Sequence, residues 1–397
     1  MKVLNVSQSF EVRGGSDVYF HLLTDLLREN GVLVEEFASS NNDDQFPKEI
    51  DFENSGISDV FGYIYNFEAK RKIDKYVKGK KFDIAHLHIY YGMLTSSILQ
   101  PLKNNSIPII QTLHEYKIVC PTYRLYDGNN ICFTCKNNNF YKSLTKNCNR
   151  NSFARTALSA VESYVSLSFG SQSLIDHYIT VSDFQKKQIV DMGFDANKMT
   201  TVHNFVEVNN KFINNKIGDY VLYFGRLEKE KGIQVLLDCF KNLSSSVKLV
   251  IVGDGSYRDE VIMQIETSKT LQLNTKYLGF KQRNEVNIII QNAKFIVVPS
   301  IWYETFGLTV IEAMSFSKPV IGSNLGGITE IIDDGIDGYL VEANNSNLLT
   351  EKIIRLWDDN SLVKTMGENA LLKVKERFSK EAHLNKIKDV YEKVLNK

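Results

Sequence analysis

The 397-residue sequence lacks a net charge, since Lys plus Arg and Asp plus Glu number 47 each. A chain without a basic excess has no electrostatic footprint for nucleic acid. It also lacks any apolar run near the roughly 20 residues that a membrane-spanning helix needs. Its amino terminus, MKVLNVSQSF, enters a strand pattern without a charged leader or apolar core. No signal peptide is therefore expected, and the protein reads as cytoplasmic. Neither half carries the G-x-G-x-x-G fingerprint of a dinucleotide fold, which disfavours a nicotinamide dehydrogenase. Internal repeats and low-complexity tracts are missing too. Cysteine is scarce, five residues in all, yet four of the five crowd into one stretch.

What is present is alternation. Strand-like and helical runs follow one another through most of the chain, the α/β pattern of parallel sheets covered by helices on both faces. The length exceeds the roughly 250–300 residues of a single core, so two domains are expected. Strand candidates in the first half are Val3–Ser7, Ile84–Leu87, Ile107–Thr112 and His177–Ser182, continuing into His203–Val206. Ser16–Glu29 is an amphipathic helix stopped by Asn30 and Gly31. The polar stretch Asn209–Gly218 precedes strands at Tyr220–Phe224, Lys248–Val252, Thr275–Leu278, Lys294–Val298 and Pro319–Ile321. Helices follow at Ser346–Asp358, Ser361–Arg377 and Ser379–Leu395. The expected organisation is a first domain over 1–210 with a cysteine-rich insert at 120–148, a second over 219–378, and a last helix, 379–397, crossing back to the first. Two doubly wound domains facing each other would hold ligands in the cleft at the carboxyl ends of both sheets.

The chemistry concentrates at those strand ends. Glu304 stands in the loop after an apolar strand, and Glu312 stands eight positions later in the next helix. Eight helical residues span about 12 Å, too far for joint work on one bond but suited to two ends of an extended ligand. The amides of Phe306, Gly307 and Leu308 open that helix and suit an anion. Arg226 and Lys231 follow the first strand of the second half. A guanidinium grips two phosphate oxygens and an ammonium adds a point charge, so together they neutralise a diphosphate without a metal. Gly253 and Phe280 end the next two strands, where backbone and an aromatic edge can hold a base or ribose. Gly326 and Gly327 read as structural.

In the first half, Gly14 and Gly15 open the first helix and allow close approach to a ligand. His114, in QTLHEY, ends a strand and points toward the cleft, whereas His86 and His88 read as structural. Cys120, Cys132, Cys135 and Cys148 include a C-x-x-C. In a cytoplasmic chain they read as a four-thiolate structural zinc site before disulfides, stapling an insert with little core of its own.

In chain order, Gly14-Gly15, His114, Gly225-Arg226-Leu227 with Lys231-Gly232, Gly253-Asp254-Gly255, and Glu304-Thr305-Phe306-Gly307-Leu308 with Glu312-Ala313 resemble the retaining GT-B glycosyltransferases that use nucleotide-sugar donors. The likeness covers nearly the whole chain and includes PVIGSNLGGITEIIDDGIDGYLV; the cysteine stretch resembles an insertion in one branch. The resemblance implies transfer of a sugar from a UDP- or GDP-sugar to a hydroxyl with α retention, no catalytic cofactor, and two Rossmann-like domains. Arg226, Lys231 and the amides at Phe306, Gly307 and Leu308 would hold the diphosphate, Glu312 the ribose and Glu304 the sugar. His114 would lie beside the reacting centre, and Gly14 and Gly15 near the phosphate and acceptor. Two positions depart from the pattern: Glu115 stands where Asp is usual, and His203-Asn204-Phe205 replaces Pro-Asn-Gly. The basic run KRKIDKYVKGKK suits anionic lipid, consistent with a saccharide or lipid-linked acceptor at the inner membrane face. A nucleotide-sugar epimerase or phosphorylase is the rival reading, and a non-catalytic binding module the third.

Overall fold

The computed structural model describes residues 1–49, 57–208 and 217–396. The chain forms two compact units, Met1–His203 with His383–Lys397, and Asn204–Ala382.

The first unit is built on a six-stranded parallel sheet of order β2-β1-β3-β4-β5-β6. Its strands are β1 Lys2–Ser9, β2 Leu33–Ser39, β3 Ile84–Leu87, β4 Ile109–Leu113, β5 His177–Thr180 and β6 Met199–Thr201. Every residue of β3, β4 and β5 is buried, as expected when helices cover both faces of a parallel sheet. The edge strand β2, LVEEFAS, has Leu33 exposed and two glutamates, so its sequence carries no buried-strand signal. The strand expected at His203–Val206 is β6 instead, four residues earlier. It pairs with β5, and the Val202 N–H still reaches the Thr180 carbonyl at 2.9 Å.

The second sheet has the order β12-β11-β10-β7-β8-β9. Its strands are β7 Val221–Phe224, β8 Leu249–Val252, β9 Thr275–Tyr277, β10 Phe295–Val298, β11 Val320–Ser323 and β12 Gly338–Val341. VLYF, LVIV and FIVV are buried end to end, and β7, β8 and β10 supply much of a core shared with Leu236, Phe240, Leu349 and Ile353 from the covering helices. In both sheets the strand order reverses once, between β1 and β3 in the first and between β7 and β10 in the second. Loops leaving the carboxyl ends of two such strands diverge to opposite faces and open a crevice for ligands.

The unit boundary falls after His203, ahead of the expected end at residue 210, because Val206 N–H bonds to Phe378 O at 3.0 Å inside the second unit. Residues 209–216 of the expected linker lie outside the described residues. The helix Lys380–Leu395 carries the chain into the first unit from His383 onward.

Candidate active site

At the β7/β10 switch point of the second unit, two strand-end loops are bound to each other. The Ile301 N–H donates to the Glu230 carbonyl at 2.9 Å. Gly232 is left-handed, φ 70°, and a Cβ there would lie 1.8 Å from the Pro299 oxygen, so only glycine permits the contact. Across this seam Lys231 Nζ donates to Glu304 Oε1 at 2.7 Å and lies 4.9 Å from the Trp302 ring centroid. Ser300 Oγ donates to the same carboxylate oxygen at 2.7 Å. Burial pushes the Glu304 carboxyl up, but the Lys231 ammonium and the hydrogen bonds from Lys231 and Ser300 outweigh it and hold the group below its ordinary value. Lys231 and Glu304 are thus brought together directly.

The Glu304 loop is shaped from behind by Gly326 and Gly327, whose backbone sits against it. A Cβ on Gly326 would come within 2.6 Å of Glu304 N, and one on Gly327 within 2.6 Å of Thr305 O. Gly327 N–H also donates to Glu304 O at 2.7 Å. Phe306 is buried, packed edge-on to Phe378 with ring centroids 5.7 Å apart. Gly307 caps the helix Leu308–Ser315 at φ 118°, a conformation that leaves its amide and that of Leu308 at the helix start.

Glu312, on that helix, is held by Arg283 Nη1 at 2.5 Å. Arg283 begins the helix that follows the Phe280 loop; nothing in its sequence surroundings signalled the pairing. Phe280 is exposed and Arg226 is exposed. Gly225 has φ 147° with nothing within 4 Å of a built Cβ, so its backbone faces open space. Gly253, expected to bind ligand through its backbone, is committed otherwise. Its N–H donates to Gly279 O at 2.9 Å and its carbonyl accepts from Tyr277 Oη at 3.0 Å. A Cβ at Gly253 would lie 1.8 Å from the Gly225 carbonyl: its role is to let two loops touch.

In the first unit the glycine pair is also partly committed. The N–H groups of Arg13 and Gly14 both donate to Asp17 Oδ2 at 2.9 Å. The helix Gly15–Glu29 therefore carries its own carboxylate at its start, and the Gly14 amide is already engaged. Gly15 is exposed, and a Cβ on Gly14 would meet nothing within 4 Å, so the space in front remains open.

His114 does not stand alone. His86, His88 and His114 form a stack with successive ring centroids 4.7 and 5.3 Å apart. The Phe20 carbonyl can only accept, so the Asn5 group facing it at 3.3 Å and Thr24 Oγ1 at 2.7 Å is the amide nitrogen. Asn5 Oδ1 then accepts from His88 Nε2 at 2.8 Å. Burial drives His88 well below its ordinary pKa and His114 down to about 3, so both rings are neutral. With Nε2 protonated, His88 Nδ1 is an acceptor, and the 3.0 Å contact to it is donated by His114 Nε2. His114 is left with Nδ1 as its acceptor. His86 is fixed separately by Tyr391 Oη and Thr112 Oγ1, each at 2.7 Å. Reading His88 as merely structural missed this link. The available signal was the alternation in HLH, which puts His86 and His88 on one face of β3.

Cys120, Cys132, Cys135 and Cys148 are free thiols lining one small cavity of about 10 Å³ with Thr122, Thr134 and Lys146.

A family model described as "Glycosyl transferases group 1" matches residues 207–373, and one described as "Glycosyltransferase Family 4" matches residues 13–210. The chain is 34% identical over 221 residues to an uncharacterized glycosyltransferase of Methanocaldococcus jannaschii, covering 55% of this chain and 60% of the other. It is 29% identical over 222 residues to a UDP-Gal:alpha-D-GlcNAc-diphosphoundecaprenol alpha-1,3-galactosyltransferase of Escherichia coli, covering 54% and 56%. The chain thus spans little more than half the length of these curated relatives. Its fold matches that of Anabaena HepE, solved with UDP-glucose, at a TM-score of 0.68 and 17% identity over 99% of this chain and 100% of the other. With two family models spanning most of its length and the fold shared throughout, the chain belongs to the GT-B group 1 glycosyltransferases.

Proposed function

We propose that the protein moves a sugar from a nucleoside-diphosphate sugar, with uridine as the base, to a hydroxyl of a saccharide or lipid-linked acceptor in bacterial glycan synthesis. Transfer retains the anomeric configuration and uses no catalytic metal. The observation that carries the reading is the Lys231–Glu304 pair at the switch point, with Glu312 on the helix that follows. Lys231 and Arg226 neutralise the diphosphate, and the amides of Gly307 and Leu308 add donors at a helix start. Glu312 takes the ribose hydroxyls in exchange for Arg283, and the exposed ring of Phe280 faces the base. Glu304 accepts from a hydroxyl of the transferred sugar. Catalysis is then leaving-group stabilisation and positioning.

The choice of uridine is supported by the galactosyltransferase relative and the HepE complex, whose names carry UDP-Gal and UDP-glucose. The relative's diphosphoundecaprenol acceptor supports a lipid-linked one here. So does the helix Phe67–Val77, which, with the Lys78 that follows it, sets exposed Phe67, Arg71, Lys75 and Lys78 along one face with a single acid, Asp74, among them, a net-basic composition suited to anionic lipid.

Thermal melting with UDP, GDP and ADP, each in EDTA, tests the reading. UDP at about 100 times its Kd adds about 2.7 kcal/mol, a rise of roughly 5–10 °C for a unit of this size. The rise should shrink in Arg226→Ala. A non-catalytic binding module would give the same rise without turnover, so release of UDP from a UDP-sugar in the presence of acceptor lipid separates the two. No rise with any nucleotide, and none with intact nucleotide sugars, removes the proposal.

A further inference from the structure

The stretch between β4 and the helix Phe153–Ser168 is folded by something other than regular structure. It contains two short 3₁₀ segments, Lys136–Asn138 and Phe140–Thr145, and one isolated bridge, Tyr126 to Ile131. Of the eleven non-glycine residues with positive φ among the described residues, seven fall here: Tyr123, Leu125, Asn137, Asn138, Asn147, Arg150 and Asn151. Left-handed backbone at Leu125 (φ 49°) and Tyr123 (φ 58°) costs about 1–2 kcal/mol each, and such conformations persist only where the surroundings over-determine them. Four thiols converge in the middle. Cys120, Cys135 and Cys148 are buried, Cys132 is half-buried, and all four line the same cavity.

We propose that Cys120, Cys132, Cys135 and Cys148 bind one structural zinc ion as four thiolates. Binding replaces four S–H bonds with four Zn–S bonds and sends four protons to solvent, leaving a site of net charge 2−. Lys146, which lines the cavity and pairs with Asp127 at 3.5 Å, offsets part of that charge. The thiol rotamers follow weak contacts: Cys120 with Thr122 Oγ1 at 3.5 Å, Cys132 to Thr134 Oγ1 at 3.1 Å, Cys148 to Ser143 O at 3.8 Å. No three of the four sulfurs lie within 4.8 Å of one another. A zinc tetrahedron with Zn–S of about 2.3 Å has edges of about 3.8 Å, so binding turns the side chains inward onto the ion. Burial, then the three neighbouring thiols, pushes Cys135 up to about 12. Protons therefore compete with the metal, and affinity falls as pH is lowered.

The cysteine-bearing stretch follows His114 closely, and Asn137 N–H is anchored to Met192 O at 2.9 Å; zinc would tie these together. This proposal is independent of the transferase reading. The test is metal analysis of the full chain purified from zinc-supplemented cells, with release followed by a chromogenic chelator as thiols are titrated. The expected result is one zinc per chain, four thiols becoming reactive as it leaves, and affinity at least about 100-fold weaker in Cys132→Ser. Four free thiols that take up no added zinc, or a chain whose thiols are paired as disulfides, overturns the proposal. If Cys132→Ser does not fold, native mass spectrometry of the unaltered chain decides: a single bound zinc with all four cysteines protected from alkylation supports it, and alkylation of all four without metal loss overturns it.

Discussion

All seven histidines of the chain belong to the first unit, and both tryptophans, with the Lys231–Glu304 and Arg283–Glu312 pairs, belong to the second. The carboxyl ends of the two sheets therefore carry polar groups in different currencies of charge. In the first, Asn5, His88 and His114 are neutral, and each donor is matched to one acceptor. Such a chain has fixed direction, because reversing one bond leaves a buried group unsatisfied. In the second, two cations already sit on two carboxylates. On the proposed function, an incoming diphosphate and ribose would exchange partners with groups already held in place, Lys231 and Glu304 largely out of solvent and Arg283 exposed, which lowers the reorganisation needed on binding. One end is a directional scaffold, and the other an exchangeable set of charges.

The sharpest way to break the contrast is Glu304→Gln. It preserves shape but removes the charge opposite Lys231, and we expect kcat to fall by about 100- to 1000-fold, measured by release of nucleoside diphosphate. A variant with near-normal kcat would mean that the pair serves the fold alone. A smaller loss, about tenfold in kcat, is expected for His88→Leu, which deprives His114 Nε2–H of its acceptor. ¹⁵N chemical shifts of the His114 ring report the tautomer directly; an unchanged Nε2–H tautomer with unchanged kcat would show that the stack does not orient His114.

The smallest effect sharpens the contrast through pH. Burial lowers His86 and His114 to about 3 and His383 to about 4, against an unfolded value near 6.5. The unfolded chain binds these protons first, so stability is full above 6.5 and is lost as pH falls through that value. Each such imidazole costs about 2 kcal/mol at pH 5. Glu304, held below 4.5, loses its contribution only at lower pH. Hydrogen exchange at pH 7 and pH 5, corrected for intrinsic rates, should show the first unit opening more and the second little changed. Equal loss in both units would contradict the assignment.

The doubly wound plan was legible because buried parallel strands read as continuous apolar runs, as in FIVV and LVIV. The edge strand β2 was not, since its exposed leucine and two glutamates break that signal, and β12, GYLV, is mostly buried but only four residues long. Glu304, Arg226 and Lys231 stood out as charged residues in the loops after such runs, and Glu312 by its spacing from Glu304 in the helix that follows. Arg283 was missed because its partner lies on another strand's helix, and Gly253 was over-read because glycine marks close approach without saying whether a ligand or another loop approaches. The tie between His88 and His114 depends on strand adjacency, which composition does not carry.

The helix Lys380–Leu395 supplies Tyr391 to His86, and supplies His383, which meets Tyr19 Oη at 2.9 Å and His203 O at 2.7 Å. The first unit is therefore not a contiguous stretch of chain. During synthesis its sheet leaves the ribosome early, yet His86 and Tyr19 wait for their buried partners until the second unit has been made in full. The unit that begins first is completed last.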